Sequence, residues 1–177
     1  DNLKEGPVTE NVIAQRVPGD WFRMSPDGKH LARKNAVYSY PSLAKEFELG
    51  AVPDNQKFYS WGIDSRSYVA FDYARESEKR MYWGCDGKVM GILPGGSGAA
   101  IINENQALCS QVALIEGTYK ATNAFLFNKT SESSIALNIE RIWVFSAVNA
   151  NQALVWTAGP GEAPAIYDVA QNKIVAG

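Results

Sequence analysis

Short apolar segments alternate with polar turns along the whole chain, and the periodicity of an amphipathic helix is almost absent. Most of these segments hold four to six residues and are bounded by Gly, Pro, Asn, Asp or Ser, which is typical of β-strands. A strand candidate at 12–17 precedes the first strong turn, and only 42–49 and 138–143 offer enough length for a helical turn. The pattern therefore predicts an all-β chain.

Two turns carry a specific hairpin signal. In Ser25-Pro26-Asp27-Gly28-Lys29, the proline fixes φ near about −65°, the aspartate bonds its own backbone and the glycine accepts a positive φ. Asp86-Gly87 separates the apolar segments 79–85 and 88–93, and Asp-Gly is a preferred two-residue hairpin turn. Both sites predict antiparallel pairing of the flanking strands.

The chain repeats itself. Residues 103–108 recur as 149–154 with one difference, and second strands aligned at Ala32, Ala70, Cys109 and Val155 are spaced by about 40 residues, close to the ~40–45 of propeller repeats. This predicts one domain over 1–177, with an arm at 1–11 and four blade-like antiparallel β repeats that form a small or incomplete β-propeller. Pairing of 12–17 with the last unit would close the ring. An open pair of packed antiparallel sheets is the alternative.

Composition limits the classes of partner and the cellular compartment that we expect for this protein. The 177 residues are 46% hydrophobic with a net charge of −2, so no basic surface recommends a nucleic acid and no apolar run is long enough for a membrane span. The chain begins at Asp1 without a methionine, and we expect a removed signal peptide and a periplasmic location. In that compartment Cys85 and Cys109, in consecutive units, are expected to form a disulfide, with two buried thiols as the alternative.

Candidate catalytic chemistry is sparse. His30 is the single histidine, and it follows a hairpin turn, where a half-packed imidazole is ordinary. The cysteines have no neighbouring basic cluster that would lower a thiol pKa, and no His or Cys pair stands at metal-ligand spacing. The sequence predicts a protein that is not an enzyme and that holds no metal or cofactor. A carboxylate pair assembled in space stays open as an alternative.

One loop stands out between two apolar strands, Gly95-Gly96-Ser97-Gly98. With three glycines the loop carries almost no side-chain bulk. It suits either a connection between blades or a narrow loop that enters a partner's cleft and presents Ser97 as hydrogen-bond donor and acceptor. The strand aromatics are expected to pack between blades, with one or two left at a rim as binding anchors.

The Ser25–Lys29 turn and its repeats resemble the blades of bacterial envelope β-propellers, although the motif is complete only in the first unit. A small, exported, nearly all-β chain without a catalytic set also resembles the periplasmic immunity proteins of type VI secretion peptidoglycan amidases. That resemblance implies a protein that caps a papain-like Cys-His amidase with a serine loop, best matched by Gly95, Gly96, Ser97 and Gly98, with Ser110 as a second candidate. The alternative function is a periplasmic scaffold or a peptide- or glycan-binding module without hydrolase inhibition.

Overall fold

The computed structural model describes residues 22–49, 56–72, 80–94, 98–140, 142–157 and 163–176. Within these ranges the chain forms sixteen strands and no helix. Sheet 1 contains β1 (Phe22–Met24), β2 (His30–Arg33), β3 (Ala36–Ser39) and β4 (Lys45–Glu48). Sheet 2 contains β5 (Gln56–Trp61), β6 (Ser67–Asp72), β7 (Arg80–Cys85) and β8 (Lys88–Leu93). Sheet 3 contains β9 (Gly98–Ile101), β10 (Gln106–Ile115), β11 (Thr118–Asn128) and β12 (Ser133–Glu140). Sheet 4 contains β13 (Ile142–Asn149), β14 (Gln152–Thr157), β15 (Ala163–Asp168) and β16 (Lys173–Ala176).

Each sheet is a four-stranded antiparallel meander in chain order. The predicted repeat is confirmed, since the aligned residues Ala32, Ala70, Cys109 and Val155 all lie in second strands and all are buried. The all-β, blade-like fold class is therefore correct.

The predicted hairpin turn of sheet 1 forms, and its side chains satisfy its backbone. Ser25 Oγ donates to Asp27 Oδ1 (2.6 Å) and accepts from the His30 amide (2.9 Å). Gly28 has a φ of 71°. The Asp27 amide also donates to Ser65 Oγ (3.0 Å) in the corresponding turn of sheet 2, so neighbouring turns are linked directly.

The Asp86-Gly87 turn is also confirmed. The two residues have φ values of 49° and 78°, the double positive-φ combination of a two-residue hairpin turn. They join β7 to β8 at the pairs Cys85–Lys88 and Gly84–Val89.

Three apolar cores join the four sheets in sequence. Sheets 1 and 2 bury Val37 against Trp61, sheets 2 and 3 bury Met81 with Cys109, and sheets 3 and 4 pack Leu108 in one core with Val144, Val155 and Tyr167. Among the described residues, no core cluster joins sheet 4 to sheet 1. The stack is an open arc of blades in this part of the chain.

Sheet 3 departs from the prediction in strand length. In the sequence, polar Ser110 and Gln111 between the apolar segments 107–109 and 112–115 predict two separate strands, but β10 runs through both. The polar interruption is a bulge, because the register with β11 shifts between Ser110 and Val112. The two segments considered for a helical turn contain β4, the end of β12 and the start of β13.

Two further expectations concern the N-terminal segment and a membrane span. The arm 1–11 and the closing strand 12–17 lie outside the described residues. No helix in the described ranges is long and apolar enough to cross a membrane.

The expected disulfide is corrected, because both cysteines are free thiols. Cys109 lies in the same core cluster as Met81. Cys85 lies four residues further along β7 than Met81, which places the Cα atoms of Met81 and Cys85 about 13 Å apart at roughly 3.3 Å per residue. A disulfide needs Cα atoms about 4.4–6.8 Å apart.

Candidate functional site

The first strand of sheet 2, β5, holds the four sheets together at their inner edges. Three successive side chains of β5 each donate a hydrogen bond to a backbone carbonyl in the first strand of another sheet. Tyr59 Oη donates to Val144 O in sheet 4 (2.6 Å), Ser60 Oγ to Ala99 O in sheet 3 (3.1 Å), and Trp61 Nε1 to Arg23 O in sheet 1 (3.0 Å). These bonds also satisfy the buried polar atoms of β5.

Bulges at matching places direct aromatic side chains toward this centre. The pairing of β5 with β6 shifts between Phe58 and Ser60, and that of β13 with β14 shifts between Val144 and Ser146. The extra residues are Tyr59 and Phe145. A bulge re-aims the side chain it carries, and bulges are enriched beside functional sites.

A cavity of about 350 Å³ opens where β1, β5 and β13 converge. Its apolar walls include Met24, Trp61 and Phe145, and its polar groups include Arg23 and Ser146. This axial pocket is at the lower end of the ~300–1,000 Å³ typical of ligand sites. Phe145 is 43% exposed and Met24 41% exposed, so an occupant would keep one side in solvent.

The electrostatics of the axial pocket are set by one cation. Among its described lining residues, Arg23 is the only charged one. Its Nη1 donates to the Phe22 carbonyl (3.2 Å), and it forms no ion pair within the described part of the chain. The indole and phenol donors of Trp61 and Tyr59 are already bonded to the backbone. Recognition of a polar ligand therefore falls to Arg23 and the Ser146 hydroxyl.

Of the predicted inhibitory loop, the structure describes only Gly98. Gly95, Gly96 and Ser97 lie outside the described residues. Gly98 is buried as the first residue of β9. A Cβ at Gly98 would lie 2.2 Å from Val144 O and 3.0 Å from Tyr59 Oη. Gly98 is therefore a packing glycine rather than a partner contact.

Ser110 is likewise a structural residue. It is fully buried, its Oγ donates to Gly98 O (3.3 Å), and it accepts from the Val144 amide (3.3 Å). These bonds tie sheet 3 to sheet 4. The expectation that Ser110 contacts a partner is wrong for this arrangement, because its hydroxyl has no access to solvent.

A second, shallower groove of about 530 Å³ lies at the end of β8, just before residues 95–97 in the sequence. Its walls include Ile92, Pro94 and Phe127. Ile92 is 56% exposed, as is Met90 on the same strand. The groove therefore combines accessible apolar side chains with the polar residues Glu132 and Ser134.

The remaining candidate groups are accounted for by local contacts. His30 Nδ1 lies 2.7 Å from Glu46 Oε2, and the imidazole lies 6.0 Å from the Trp61 ring. Burial and the neighbouring Asp86 raise the pKa of the Cys85 thiol, and burial raises that of Cys109. Within the described ranges, no three His, Cys, Asp or Glu side chains form a group suited to a metal ion.

Comparison with known proteins gives a fold and no family. No protein-family model and no curated protein matches the chain. Among solved structures, it is similar to the β-propeller domain of the Trilobed protease from Pyrococcus furiosus, at 15% identity and a TM-score of 0.60, covering 89% of this chain and 57% of that one. It also matches a putative TolB from Agrobacterium tumefaciens at 14% identity and a TM-score of 0.45, covering 88% of this chain and 60% of that one.

The likeness to the propeller domain of the Trilobed protease shows the fold alone. The chain spans less than two thirds of the length of either structure. A match to part of a propeller agrees with the open arc formed by sheets 1–4.

Sequence reasoning missed the axial pocket. Its walls come from three units that are distant along the chain, so no local motif marks them. The available signal was the pair of aromatics Tyr59 and Phe145, each three residues into the inner strand of its unit.

Proposed function

We propose that the protein is a propeller-type binding module that takes an extended peptide segment of a partner protein into its axial pocket. The observation that carries this proposal is Arg23, which forms no ion pair with any described residue and is set among the apolar side chains Met24, Trp61 and Phe145 at the convergence of three sheets. Such a pocket favours a segment with an acidic side chain beside an aromatic or aliphatic one.

The exposure of the walls supports a peptide. Sites for small molecules generally bury about 70–90% of the ligand surface. Met24 and Phe145 each remain about two fifths exposed, so the pocket covers one side of its occupant. A side chain and carboxylate on a longer peptide fit this geometry, because the remainder of the peptide continues over the rim.

The experiment is selection of a displayed library of random peptides on the immobilised protein. We expect enrichment of Asp or Glu adjacent to Phe, Tyr, Trp or Leu. Selection on Arg23→Gln should lose the acidic preference. Arg66→Gln makes the same chemical change in the turn of sheet 2 and should retain it. Equal enrichment on wild type and Arg23→Gln would remove the axial pocket as the binding site.

We also propose a second candidate, occlusion of a secreted peptidoglycan amidase by the face that carries the loop at 95–97, as in an immunity protein. The observation favouring it is the accessible groove at the end of β8, with Ile92 more than half exposed. Leu93 and Gly98, which flank residues 95–97 in the sequence, are both buried. Anchoring at both ends reduces the ordering cost of binding.

Titration into a muropeptide-cleavage assay with a type VI amidase tests this candidate. Stoichiometric loss of cleavage is expected, and Ile92→Lys should weaken it. Ile115→Lys places the same charge at another exposed site and should not. Undiminished cleavage by wild-type protein with several such amidases would contradict the inhibitor function and leave the peptide-binding proposal standing.

A further inference from the structure

The chain contains three methionines, and the structure places them in three different environments. Met24 ends β1 and lines the axial pocket, where it is 41% exposed. Met90 is 56% exposed on β8, and it lines neither the axial pocket nor the groove at the end of β8. Met81 is fully buried in the core between sheets 2 and 3. Met24 therefore combines access to solvent with a place in the candidate site.

An exposed methionine is open to oxidation by a peroxide. The thioether sulfur donates an electron pair to one oxygen of hydrogen peroxide, the O–O bond breaks, and the products are methionine sulfoxide and water. The sulfur is oxidised and the peroxide is reduced, so the step needs no further reactant. Because the oxidant must reach the sulfur, we expect Met24 and Met90 to react in the folded protein and Met81 to be protected.

We propose that Met24 is an oxidation site, and that its conversion to the sulfoxide by a peroxide switches off binding at the axial pocket. The inference rests on the proposed peptide-binding function of that pocket. Met24 forms its apolar wall together with Trp61 and Phe145. Oxidation turns this flexible apolar side chain into a polar one. An apolar side chain of the ligand would then lie against a sulfoxide oxygen and remove it from water.

The side chains that line the axial pocket leave that oxygen without a spare donor. Tyr59, Ser60 and Trp61 each donate to a backbone carbonyl of another sheet. The other side-chain donors of the pocket are Arg23 and Ser146, the groups on which a carboxylate ligand depends. The sulfoxide therefore either stays unsatisfied beneath the ligand or competes with the ligand for these donors. Both outcomes weaken binding.

The fold itself does not depend on the thioether of Met24. Met24 belongs to none of the apolar core clusters formed by the described residues. β1 is held by its backbone pairing with β2 and by the hydrogen bond from Trp61 Nε1 to Arg23 O. Oxidation of Met24 should therefore change the pocket and leave the four sheets intact.

Treatment of the full chain with dilute hydrogen peroxide tests the modification site. The background is Cys85→Ser, because Cys85 is a partly accessible thiol that a peroxide also oxidises. Peptide mapping by mass spectrometry should find one added oxygen on Met24 and on Met90, and none on Met81. The indole N–H resonance of Trp61 should move, since Trp61 lines the same pocket. An unoxidised Met24 when Met90 is fully converted, or an unmoved Trp61 resonance after conversion of Met24, would overturn the proposal.

Binding of N-acetyl-Phe-Glu-amide, measured before and after oxidation, tests the switch. We expect the affinity to fall about tenfold, the effect of one unsatisfied polar group. It should return when methionine sulfoxide reductases and dithiothreitol convert the sulfoxide back to the thioether. Treated and untreated Met24→Leu should bind equally, whereas Met90→Leu should lose affinity on treatment. Circular dichroism verifies folding, and a loss of affinity on treatment of folded Met24→Leu would contradict the assignment to Met24.

Failure of the switch and failure of the proposed function give different results. If untreated protein does not bind the peptide, the proposed function is wrong and the switch is wrong with it. If untreated protein binds the peptide and complete oxidation of Met24 leaves the affinity unchanged, the switch alone is wrong.

Discussion

At Gly98 the backbone of β9 lies too close to β13 for any side chain. An added Cβ would lie 2.2 Å from Val144 O, and Ser110 Oγ and Tyr59 Oη are also within about 3 Å of that position. Glycine is needed here for close approach, since the obstacle is the carbonyl of a neighbouring strand. This explains why a residue of the conspicuous glycine loop belongs to the core.

We predict that Gly98→Ala lowers the free energy of unfolding by about 2 kcal/mol or more, because overpacking against a backbone atom forces strands apart. Urea unfolding, monitored by circular dichroism, measures this change in the free energy of unfolding. Gly28→Asn is the control: Gly28 has open space around it and a positive φ that asparagine tolerates. An equal, small effect of both changes would show that Gly98 is not closely packed.

Asp64 organises the first turn of sheet 2. Its Oδ1 accepts from the Ser67 amide (2.8 Å), the Arg66 amide (3.0 Å) and Ser67 Oγ (2.8 Å). Burial alone would raise the pKa of Asp64, but these hydrogen bonds outweigh it and hold the pKa below the usual 3.8. The folded state therefore favours the carboxylate more than the unfolded state does.

This shift predicts acid sensitivity. Because the pKa is lower in the folded state, the contribution of Asp64 is present above about pH 4 and is lost as the pH falls through the folded-state pKa. Asp64→Ala should cost about 1–2 kcal/mol at pH 7 and reduce the loss of stability below pH 4. Unfolding curves from pH 2 to 7 measure both. If Asp64→Ala lost as much stability between pH 4 and pH 2 as the wild-type protein does, the role of this carboxylate would be contradicted.

The cysteines give a direct test of the corrected disulfide. Both are free thiols, Cys109 is fully buried, and Cys85 is partly accessible. We predict two reactive thiols in the unfolded, unreduced protein, measured with a colorimetric thiol reagent, and slow modification of Cys85 alone in the native protein. Absence of reactive thiols until a reductant is added would show that a disulfide forms after all.

At the scale of elements, β5 is the strand on which the arrangement depends. It reaches sheets 1, 3 and 4 through the side chains of Trp61, Ser60 and Tyr59. Tyr59 has a double role, because its ring packs edge-on against Phe71 (4.7 Å between centroids) while its hydroxyl bonds β13. The hydrogen bonds of β5 therefore fix the relative positions of the strands that line the axial pocket.

Tyr59→Phe keeps the ring and removes the bond to Val144 O. We predict a loss of about 1 kcal/mol in unfolding free energy, the usual net value for a hydrogen bond, and weaker peptide binding at the pocket. Tyr82→Phe in β7 is the control, since Tyr82 is half-buried and makes no described side-chain hydrogen bond. Thermal and urea unfolding of both variants, in parallel, measure the difference.

Elements defined by local chemistry were predictable. The turns at Ser25–Lys29 and Asp86-Gly87 contain their own hydrogen-bonding and positive-φ residues, so the sequence indicated the hairpins around them. The division of β10 was wrong because polar Ser110 suggested a break. A bulge accommodates that interruption, and the hydroxyl bonds two neighbouring strands.

The candidate site was not predictable in the same way. The pocket depends on how whole sheets stack, which brings Arg23, Trp61 and Phe145 together from three separate units. Local pattern shows that an aromatic lies on a strand. It does not show that a bulge turns the residue toward the axis, because bulges follow from the pairing of two strands.

At the scale of the molecule, three cores join the four sheets into an open arc within the described part of the chain. The axial pocket lies at the inner edges of the sheets, where β1, β5 and β13 converge. Its walls therefore belong to three separate sheets, and its shape depends on how those sheets stack.

The central claim is that the axial pocket binds a carboxylate through Arg23 beside apolar walls, and a nuclear magnetic resonance titration tests it most directly. The reporter is the indole N–H of Trp61, assigned with Trp61→Phe, and the ligand is N-acetyl-Phe-Glu-amide. N-acetyl-Phe-Gln-amide is the matched ligand without the charge.

We predict a saturable shift of the Trp61 signal with the glutamate peptide and about tenfold weaker binding of the glutamine peptide, the effect of one charge-assisted contact. In Arg23→Gln the two peptides should bind equally. An unmoved Trp61 signal, or equal affinities for both peptides in the wild-type protein, would contradict the account.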